Sequence, residues 1–160
     1  MMHIDIICVG RIREKYFADA VAEYKKRLSA YAKTEIIEVK DEPTPDNASE
    51  AQRSAILSAE AERIEKYRND KAYQVVLAIE GKQTDSVGFS EILNKPAIDG
   101  YGAMQFLIGG SLGLKEELKQ KADLSISFSK MTFPHQLMRV ILLEQIYRGY
   151  RILNGAPYHK

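Results

Sequence analysis

The sequence is poor in the residues that build disulfide frameworks and metal centres. Cys8 is the only cysteine, and the 160 residues include just three histidines. A single thiol cannot form an intrachain disulfide, and the scattered histidines do not have the spacing of a zinc site. We therefore expect no metal. Because Cys8 lies in an apolar run, a buried and inert thiol is expected rather than a nucleophile.

Long hydrophobic runs are also missing. No apolar stretch reaches the roughly 20 residues that are needed to span a bilayer. The first residues, MMHIDIICVG, have no basic region ahead of a long apolar stretch and no small-residue cleavage site, so a signal peptide is not expected. The expected location is the cytoplasm, without membrane contact.

Charge of one sign is not in large excess, since the formal net charge is +1. With 45% hydrophobic and 28% charged residues, the composition excludes a disordered chain. The length suits a single domain over residues 1–160. The distribution is uneven, because residues 134–160 carry Arg139, Arg148, Arg151 and Lys160 against Glu144 alone. Such a segment is typical either of contact with a polyanion or of cations that offset a helix dipole.

Apolar runs alternate regularly with amphipathic stretches. Strands are predicted at 3–9, 34–39, 73–79, 103–108 and 124–128, and helices at 14–31, 48–68, 86–95, 114–122 and from Pro134 to about Leu153. Asn47 and Glu50 resemble a capping box, and Pro96 is expected to end the third helix. Pro134 suits the first turn of the last helix. The alternation predicts an α/β fold with a mainly parallel sheet flanked by helices.

The last predicted helix is apolar on every side. Its apolar side chains are Leu137, Met138, Val140, Ile141, Leu142, Leu143, Ile146, Tyr147, Tyr150, Ile152 and Leu153. A helix of this kind is buried all round, and one sheet covers only one side of it. We therefore predict a homodimer through this helix. A central core helix is the alternative.

Unusual residues follow three of the predicted strands, in LAIEGK (77–82), IGGSLG (108–113) and FSKMTFPH (128–135). In open α/β sheets, ligands bind at the carboxyl ends of the strands. Gly109 and Gly110 let the backbone approach a ligand closely, although this signal alone is weak and a tight strand-to-helix turn is the more common reason for such glycines. Neither a dinucleotide fingerprint nor a P-loop is present. The Phe and Met residues of the third loop suit a flat ring such as adenine.

Several segments together carry a resemblance to a known family. They are ICVGRIREKYF, LAIEGK, FLIGGSLGL, SFSKMTFPHQLMR, EQIYR and PYHK. Over the whole chain they resemble the small SPOUT-superfamily methyltransferases that modify a pseudouridine of 23S ribosomal RNA at N3. Gly149 departs from the family, where alanine is expected. A helical glycine costs about 0.5–1 kcal/mol relative to alanine.

The resemblance implies that the three loops form a deep trefoil knot at the C-terminal side of the fold, in which S-adenosylmethionine binds in a bent conformation. The cofactor-binding residues that it implies are Leu77, Gly109, Phe128, Ser129, Lys130, Met131, Thr132 and Phe133. It also implies a dimer in which the C-terminal segment of one subunit completes the site of the other. The implied substrate is the assembled ribosome.

Methyl transfer to an imide nitrogen requires loss or polarisation of its proton. The implied catalytic residues are His135, Arg148, Tyr158 and His159. An imidazole suits proton acceptance, and a guanidinium suits charge on the ring carbonyls; which group is the base stays open. For His135 a helix-cap role is the alternative, and for Arg148 an ion pair with Glu144.

The segment NGAPYHK (154–160) follows the last helix. Gly155 and Pro157 are expected to turn the chain, so that Tyr158 borders a base and His159 and Lys160 meet phosphate or the imide. Frayed residues without a role are the alternative. Two rival functions remain, a non-catalytic ribosome-associated factor of the same fold and a flavin or NAD enzyme. The missing dinucleotide fingerprint argues against the second.

Overall fold

A computed structural model of the chain describes all 160 residues, with five strands and five helices in alternation. The strands are β1 (Met2–Val9), β2 (Ala32–Val39), β3 (Tyr73–Gln83), β4 (Ala103–Ile108) and β5 (Leu124–Ser127). The helices are α1 (Lys15–Leu28), α2 (Glu50–Glu65), α3 (Ser86–Ile98), α4 (Glu116–Lys121) and α5 (His135–Leu153). The predicted alternation and the α/β class are confirmed.

The five strands form one sheet in the order β2-β1-β4-β3-β5, and every pair is parallel. In register, Ile6 of β1 lies beside Ile36 and Phe106. The carboxyl ends of all five strands therefore meet at one edge of the sheet, which we call the carboxyl edge. The β3–β5 register shifts between Leu77 and Lys82, so the end of β3 bulges out at this edge.

Both faces of the sheet are buried, as continuous apolar strands predict. One face packs under α1, α3 and α5, with Ile4, Ile6, Phe106 and Leu142 in its core. The other face carries Ile7, Val9 and Leu107, which form a second core with Ile64 of α2 and Leu118 of α4. Fully burying one such side chain contributes about 1.5–3 kcal/mol. These alternating residues fix the register, since a slip by one residue would exchange the two faces.

Cys8 is fully buried within the first of these cores. Burial raises the pKa of its thiol to about 12, so the reactive thiolate is not formed near neutral pH. The predicted buried, inert cysteine is confirmed.

Helix α2 begins later than predicted, and the proposed capping pair Asn47 and Glu50 is wrong. Ser49 is the N-cap residue: its hydroxyl accepts from the Gln52 amide at 3.1 Å, and the Gln52 side chain accepts from the Ser49 amide at 2.8 Å. The two patterns lie two positions apart in the sequence, and Asn47 belongs to the preceding turn.

Helix α3 continues through Pro96 to Ile98, contrary to the predicted end at residue 95. A proline removes one amide donor, and here the loss falls in the last turn. The ring of Pro96 is buried, and its carbonyl accepts from the Tyr101 amide at 2.9 Å. Burial of the ring therefore offsets the missing hydrogen bond.

Other boundaries differ by a few residues. Helix α1 ends at Leu28 rather than residue 31, so β2 begins earlier, at Ala32. Helix α4 is shorter than predicted, and Pro134 is the N-cap of α5 rather than a residue of its first turn. No helix has the length and hydropathy needed to cross a membrane.

Candidate active site

A cavity of about 660 Å³ opens at the carboxyl edge of the sheet. Its walls are the bulge of β3, the loop between β4 and α4, and the connection from β5 to α5. These are the three segments that the sequence singled out. They meet because parallel strands end at the same edge.

The cavity brings together most of the predicted cofactor-binding residues. Its lining includes Leu77, Gly109, Phe128, Ser129, Met131, Thr132 and Phe133, together with His135. Lys130 is exposed and does not line the cavity, although both of its neighbours do. Glu80 and Lys119 also line it, and their side chains pair at 2.6 Å. Sequence reasoning missed this pair, because nothing in the pattern places α4 beside β3.

Gly109 owes its identity to the loop itself. A Cβ added there would lie 2.3 Å from the carbonyl carbon of Gly113. The loop folds back on itself, with Gly113 at φ +81° and its amide donating to Gly110 O at 3.0 Å. The structure therefore shows the close backbone approach between Gly109 and Gly113 of the same loop, whereas the sequence predicted it between Gly109 and a ligand.

The amides of residues 109–112 donate to no protein acceptor, and these residues line the cavity. In the third loop, the Ser127 hydroxyl donates to Ser129 O and the Ser129 hydroxyl accepts from the Met131 amide, both at 3.0 Å. The site thus combines aromatic and aliphatic walls with free backbone donors. This combination suits a flat heteroaromatic ring with polar edges.

His135 begins α5 and borders the cavity. A Cβ added to Gly10, whose φ is +92°, would lie 3.1 Å from His135 Nε2, so the imidazole packs against the end of β1. Burial lowers the pKa of His135, and the positive charge of Arg139 lowers it further. The imidazole is therefore neutral near pH 7 and able to accept a proton.

Arg139 is fully buried. Its guanidinium donates to Glu38 Oε2 at 2.7 Å, to Gly10 O at 2.6 Å and to Val9 O at 3.1 Å. Arg139 therefore connects α5 to the end of β1. The prediction that counted Arg139 among the cations available to a polyanion is wrong. An arginine in an apolar helix gives no sequence signal of this role.

Arg148, Tyr158 and His159 form a second group, which we call the tail cluster. Arg148 Nη2 donates to Glu144 Oε1 at 2.6 Å, so the ion pair weighed from the sequence is present. Arg148 Nη1 lies 3.1 Å from His159 Nδ1, and its guanidinium lies 4.7 Å from the centre of the Tyr158 ring. The Tyr158 hydroxyl donates to Glu144 Oε1 at 3.3 Å. Burial and the charge of Glu144 raise the pKa of Tyr158, which keeps the phenol protonated.

The tail cluster does not border the cavity of its own chain. Arg148 lies about 20 Å beyond His135 along α5, at 1.5 Å per residue. None of Arg148, Tyr158 and His159 lines the cavity. One chain therefore holds the predicted catalytic residues in two separate places.

Comparison with known proteins covers nearly the whole chain. A family model described as "Predicted SPOUT methyltransferase" matches residues 2–159. A protein of Methanococcus vannielii is 56% identical over 159 residues, which cover 99% of this chain and 100% of that protein. The ribosomal RNA large subunit methyltransferase H of Leuconostoc mesenteroides is 51% identical, and that of Streptococcus equi subsp. zooepidemicus is 48% identical, with the same coverage.

A solved structure supports the fold. The structure of a probable methylase family protein from Haemophilus influenzae aligns with a TM-score of 0.55 over 98% of this chain and 70% of that one, at 15% sequence identity. This likeness concerns architecture alone. The family model, matched over nearly all of the chain, and the relatives at 48–56% identity decide the assignment: the chain belongs to the SPOUT methyltransferase family.

Proposed function

We propose that the chain is an S-adenosylmethionine-dependent methyltransferase, acting as one domain over residues 1–160, that methylates N3 of a pseudouridine in 23S ribosomal RNA on the assembled ribosome in the cytoplasm. The observation that carries the proposal is the cavity at the carboxyl edge, lined by the segments that resemble the family. The names of relatives matched over their whole length, ribosomal RNA large subunit methyltransferase H, support the RNA substrate.

The cavity fits S-adenosylmethionine in size and in chemistry. Its volume of about 660 Å³ falls in the range of small-molecule sites. Leu77, Phe128 and Phe133 offer apolar walls for the adenine, and the free amides of residues 109–112 meet its polar edge. Glu80 and Lys119 supply one charge of each sign for the amino-acid end. We further propose that the three loops thread as a trefoil knot, as the family resemblance implies.

When bound, the cofactor supplies an electrophilic methyl group on a sulfonium. The protein has to place the imide nitrogen in line with that methyl group and to take up the imide proton. His135 is a neutral imidazole in the cavity wall, and His159 is a second imidazole in the tail cluster. Arg148 steadies negative charge on the ring carbonyls. Separate substitution of each histidine by asparagine identifies the base through the alkaline shift of the pH–rate profile.

The outer face of α5 supports a homodimer. Leu142, Ile146 and Gly149 are buried against the rest of the chain. Leu137, Ile141 and Ile152, on the opposite stripe, are only half-buried, and Glu144 and Arg148 lie on that same stripe. A second copy packed on this stripe buries the apolar residues, and it brings one tail cluster toward the other chain's cavity.

Mixed dimers test this composite arrangement. One chain carries Gly109→Val, which disrupts the cofactor site and is used only once sedimentation shows that it still forms dimers. The other chain lacks residues 158–160. Each variant alone should be inactive. Random mixing should restore about a quarter of wild-type activity if the tail acts across the interface. No recovery, or a monomer in sedimentation at micromolar protein, contradicts the dimer proposal.

The function itself is tested on ribosomal RNA. Mass mapping of 23S RNA from a strain that lacks the protein should show the loss of one methyl group from a pseudouridine, restored by the purified protein acting on assembled ribosomes. Calorimetry should show binding of S-adenosylmethionine and its demethylated product. Tight flavin or NAD binding overturns the proposal, and cofactor binding without methylation supports the rival ribosome-associated factor.

A further inference from the structure

The segment between β1 and α1 exposes cations that have no partner. Arg11 and Arg13 are both exposed, and neither takes part in any ion pair of the chain. Tyr16, just beyond them, is 65% exposed. The segment thus places one exposed aromatic ring beside two unpaired guanidinium groups. We call Arg11, Arg13 and Tyr16 the rim patch.

The backbone under the rim patch is held firmly. The Ile12 amide donates to Glu38 Oε2 at 2.8 Å, and the Arg13 amide donates to the Gln136 side chain at 3.0 Å. The buried guanidinium of Arg139 donates a hydrogen bond to the carbonyl of Gly10. These bonds use only the backbone of the segment, so the guanidinium groups of Arg11 and Arg13 stay free for another molecule.

The same contacts place the rim patch beside the cavity. Gly10 packs against His135, and both His135 and Met138 of the first turns of α5 line the cavity. Because the Arg13 amide is bonded to Gln136, the neighbour of the lining residue His135, the patch lies next to the cavity on the α5 side. A polymer that delivers a base into the cavity from this side would contact the patch.

We propose that Arg11 and Arg13 bind phosphates of the RNA substrate and that Tyr16 stacks on a neighbouring unpaired base. One guanidinium group forms two parallel hydrogen bonds to the oxygens of a phosphate. Aromatic rings next to cations are typical of contacts with single-stranded RNA. This inference rests on the proposed ribosomal RNA substrate. It assigns a docking role to residues outside the cavity and outside the tail cluster.

The test variant is Arg11→Gln/Arg13→Gln, and the matched control is Lys66→Gln/Lys71→Gln. The control removes the same charge from two exposed lysines that form no ion pair and lie near the opposite, amino-terminal edge of the sheet, around the end of α2 and the start of β3. Initial rates of methyl transfer to assembled ribosomes are measured from 50 to 300 mM salt for the two variants and the wild type.

For the test variant, KM for ribosomes should rise about tenfold at 150 mM salt, while kcat stays within about twofold. The plot of log kcat/KM against log salt should become shallower by about 1.4, since each phosphate contact to single-stranded nucleic acid contributes about 0.7. Cofactor affinity by calorimetry should not change. The control should match the wild type in every measurement.

A third variant, Arg11→Lys/Arg13→Lys, separates the loss of a phosphate contact from a loss of folding. It should keep the wild-type salt slope and show an intermediate KM, because the charge remains and paired hydrogen bonding is lost. A wild-type KM and salt slope in the glutamine variant overturn the inference, and so does an equal change in the lysine control. If the wild-type protein methylates no RNA, the proposed function fails instead. Competition separates RNA from an acidic ribosomal protein as the partner of the patch. If such a protein inhibits methyl transfer to ribosomes and free ribosomal RNA does not, the assignment to RNA is overturned.

Discussion

Arg148 Nη1 lies 3.1 Å from Nδ1 of His159, so residues 156–160 fold back onto the last turns of α5. Glu144 joins the pair, because it accepts hydrogen bonds from both Arg148 and Tyr158. The C-terminal segment is therefore held in part by Arg148, a cation that a negatively charged substrate also attracts. An RNA phosphate would compete with Glu144 for the guanidinium of Arg148.

Deletion of residues 158–160 tests the tail cluster. It removes the edge-on contact of Tyr158 with Tyr147, worth about 0.5–1.5 kcal/mol, and no core residue. Thermal unfolding should shift only slightly, and cofactor affinity should remain within about twofold. Methyl transfer should fall by about 100-fold or more. A near wild-type rate would mean that the segment has no catalytic role. Tyr158→Phe keeps the ring and shows whether the hydroxyl is needed.

Gly109→Ala tests the loop between β4 and α4. The added methyl group would collide with the backbone of Gly113, so the loop must open and the free amides of residues 109–112 must move. Cofactor affinity should fall at least about tenfold. Gly102→Ala is the control, since a Cβ there meets nothing within 4 Å. Equal affinities for the two variants would place the cofactor elsewhere. The structure also implies a loss of stability for Gly109→Val, which the sequence did not indicate.

Gly149→Ala tests the contact between α3 and α5. A Cβ at Gly149 would lie 2.5 Å from Leu93 Cδ1, within a buried contact. Gain in helix propensity is about 0.5–1 kcal/mol, while overpacking costs about 1–3 kcal/mol, so the single variant should be less stable. Adding Leu93→Val should recover about 1 kcal/mol relative to additivity. Chemical denaturation of the four proteins of the cycle measures this coupling; purely additive effects would contradict it.

Glu60→Gln tests a buried carboxyl group beneath Gly110. Glu60 is 4% exposed; Oε2 accepts from the Glu42 amide at 3.0 Å, and Oε1 has no partner. Burial raises the pKa of Glu60. The folded state therefore binds the proton more tightly, and the contribution of Glu60 to stability is lost as pH rises through its folded pKa. As pH rises above the ordinary pKa of a glutamate, the difference in thermal stability should therefore move in favour of the variant. A difference that does not change with pH contradicts the prediction.

The sequence predicted the strands better than the helix ends. The apolar run 103–108 is β4 to the residue, because central parallel strands are buried on both faces and read as continuous apolar segments. Helix ends depend on single hydrogen bonds, and local patterns such as those at Asn47 and Ser49 offer more than one solution. The extension of β3 to Gln83 depends on its shifted pairing with β5, which no local pattern contains.

The site was predicted in part for the same reason. The bulge of β3 and the loops after β4 and β5 were found because parallel topology brings the ends of strands together. Arg139 was misread as a surface cation, since its partners Glu38 and Gly10 lie far away in the sequence. The separation of His135 from Arg148 follows directly from helix geometry.

The hydrogen bond from Arg139 to the Gly10 carbonyl joins residues 129 positions apart in the sequence. This distance affects how the chain folds while it is being synthesised. While the ribosome is still making α5, the carbonyls of Val9 and Gly10 lack their donor, and the apolar face above Cys8 lacks its helix. Contacts of such long range are slow to form, and they expose apolar surface until they do. The nascent chain therefore covers this face of its sheet only after α5 has left the exit tunnel. Until then, chaperones that bind apolar segments have a target in the uncovered face of β1 and β4.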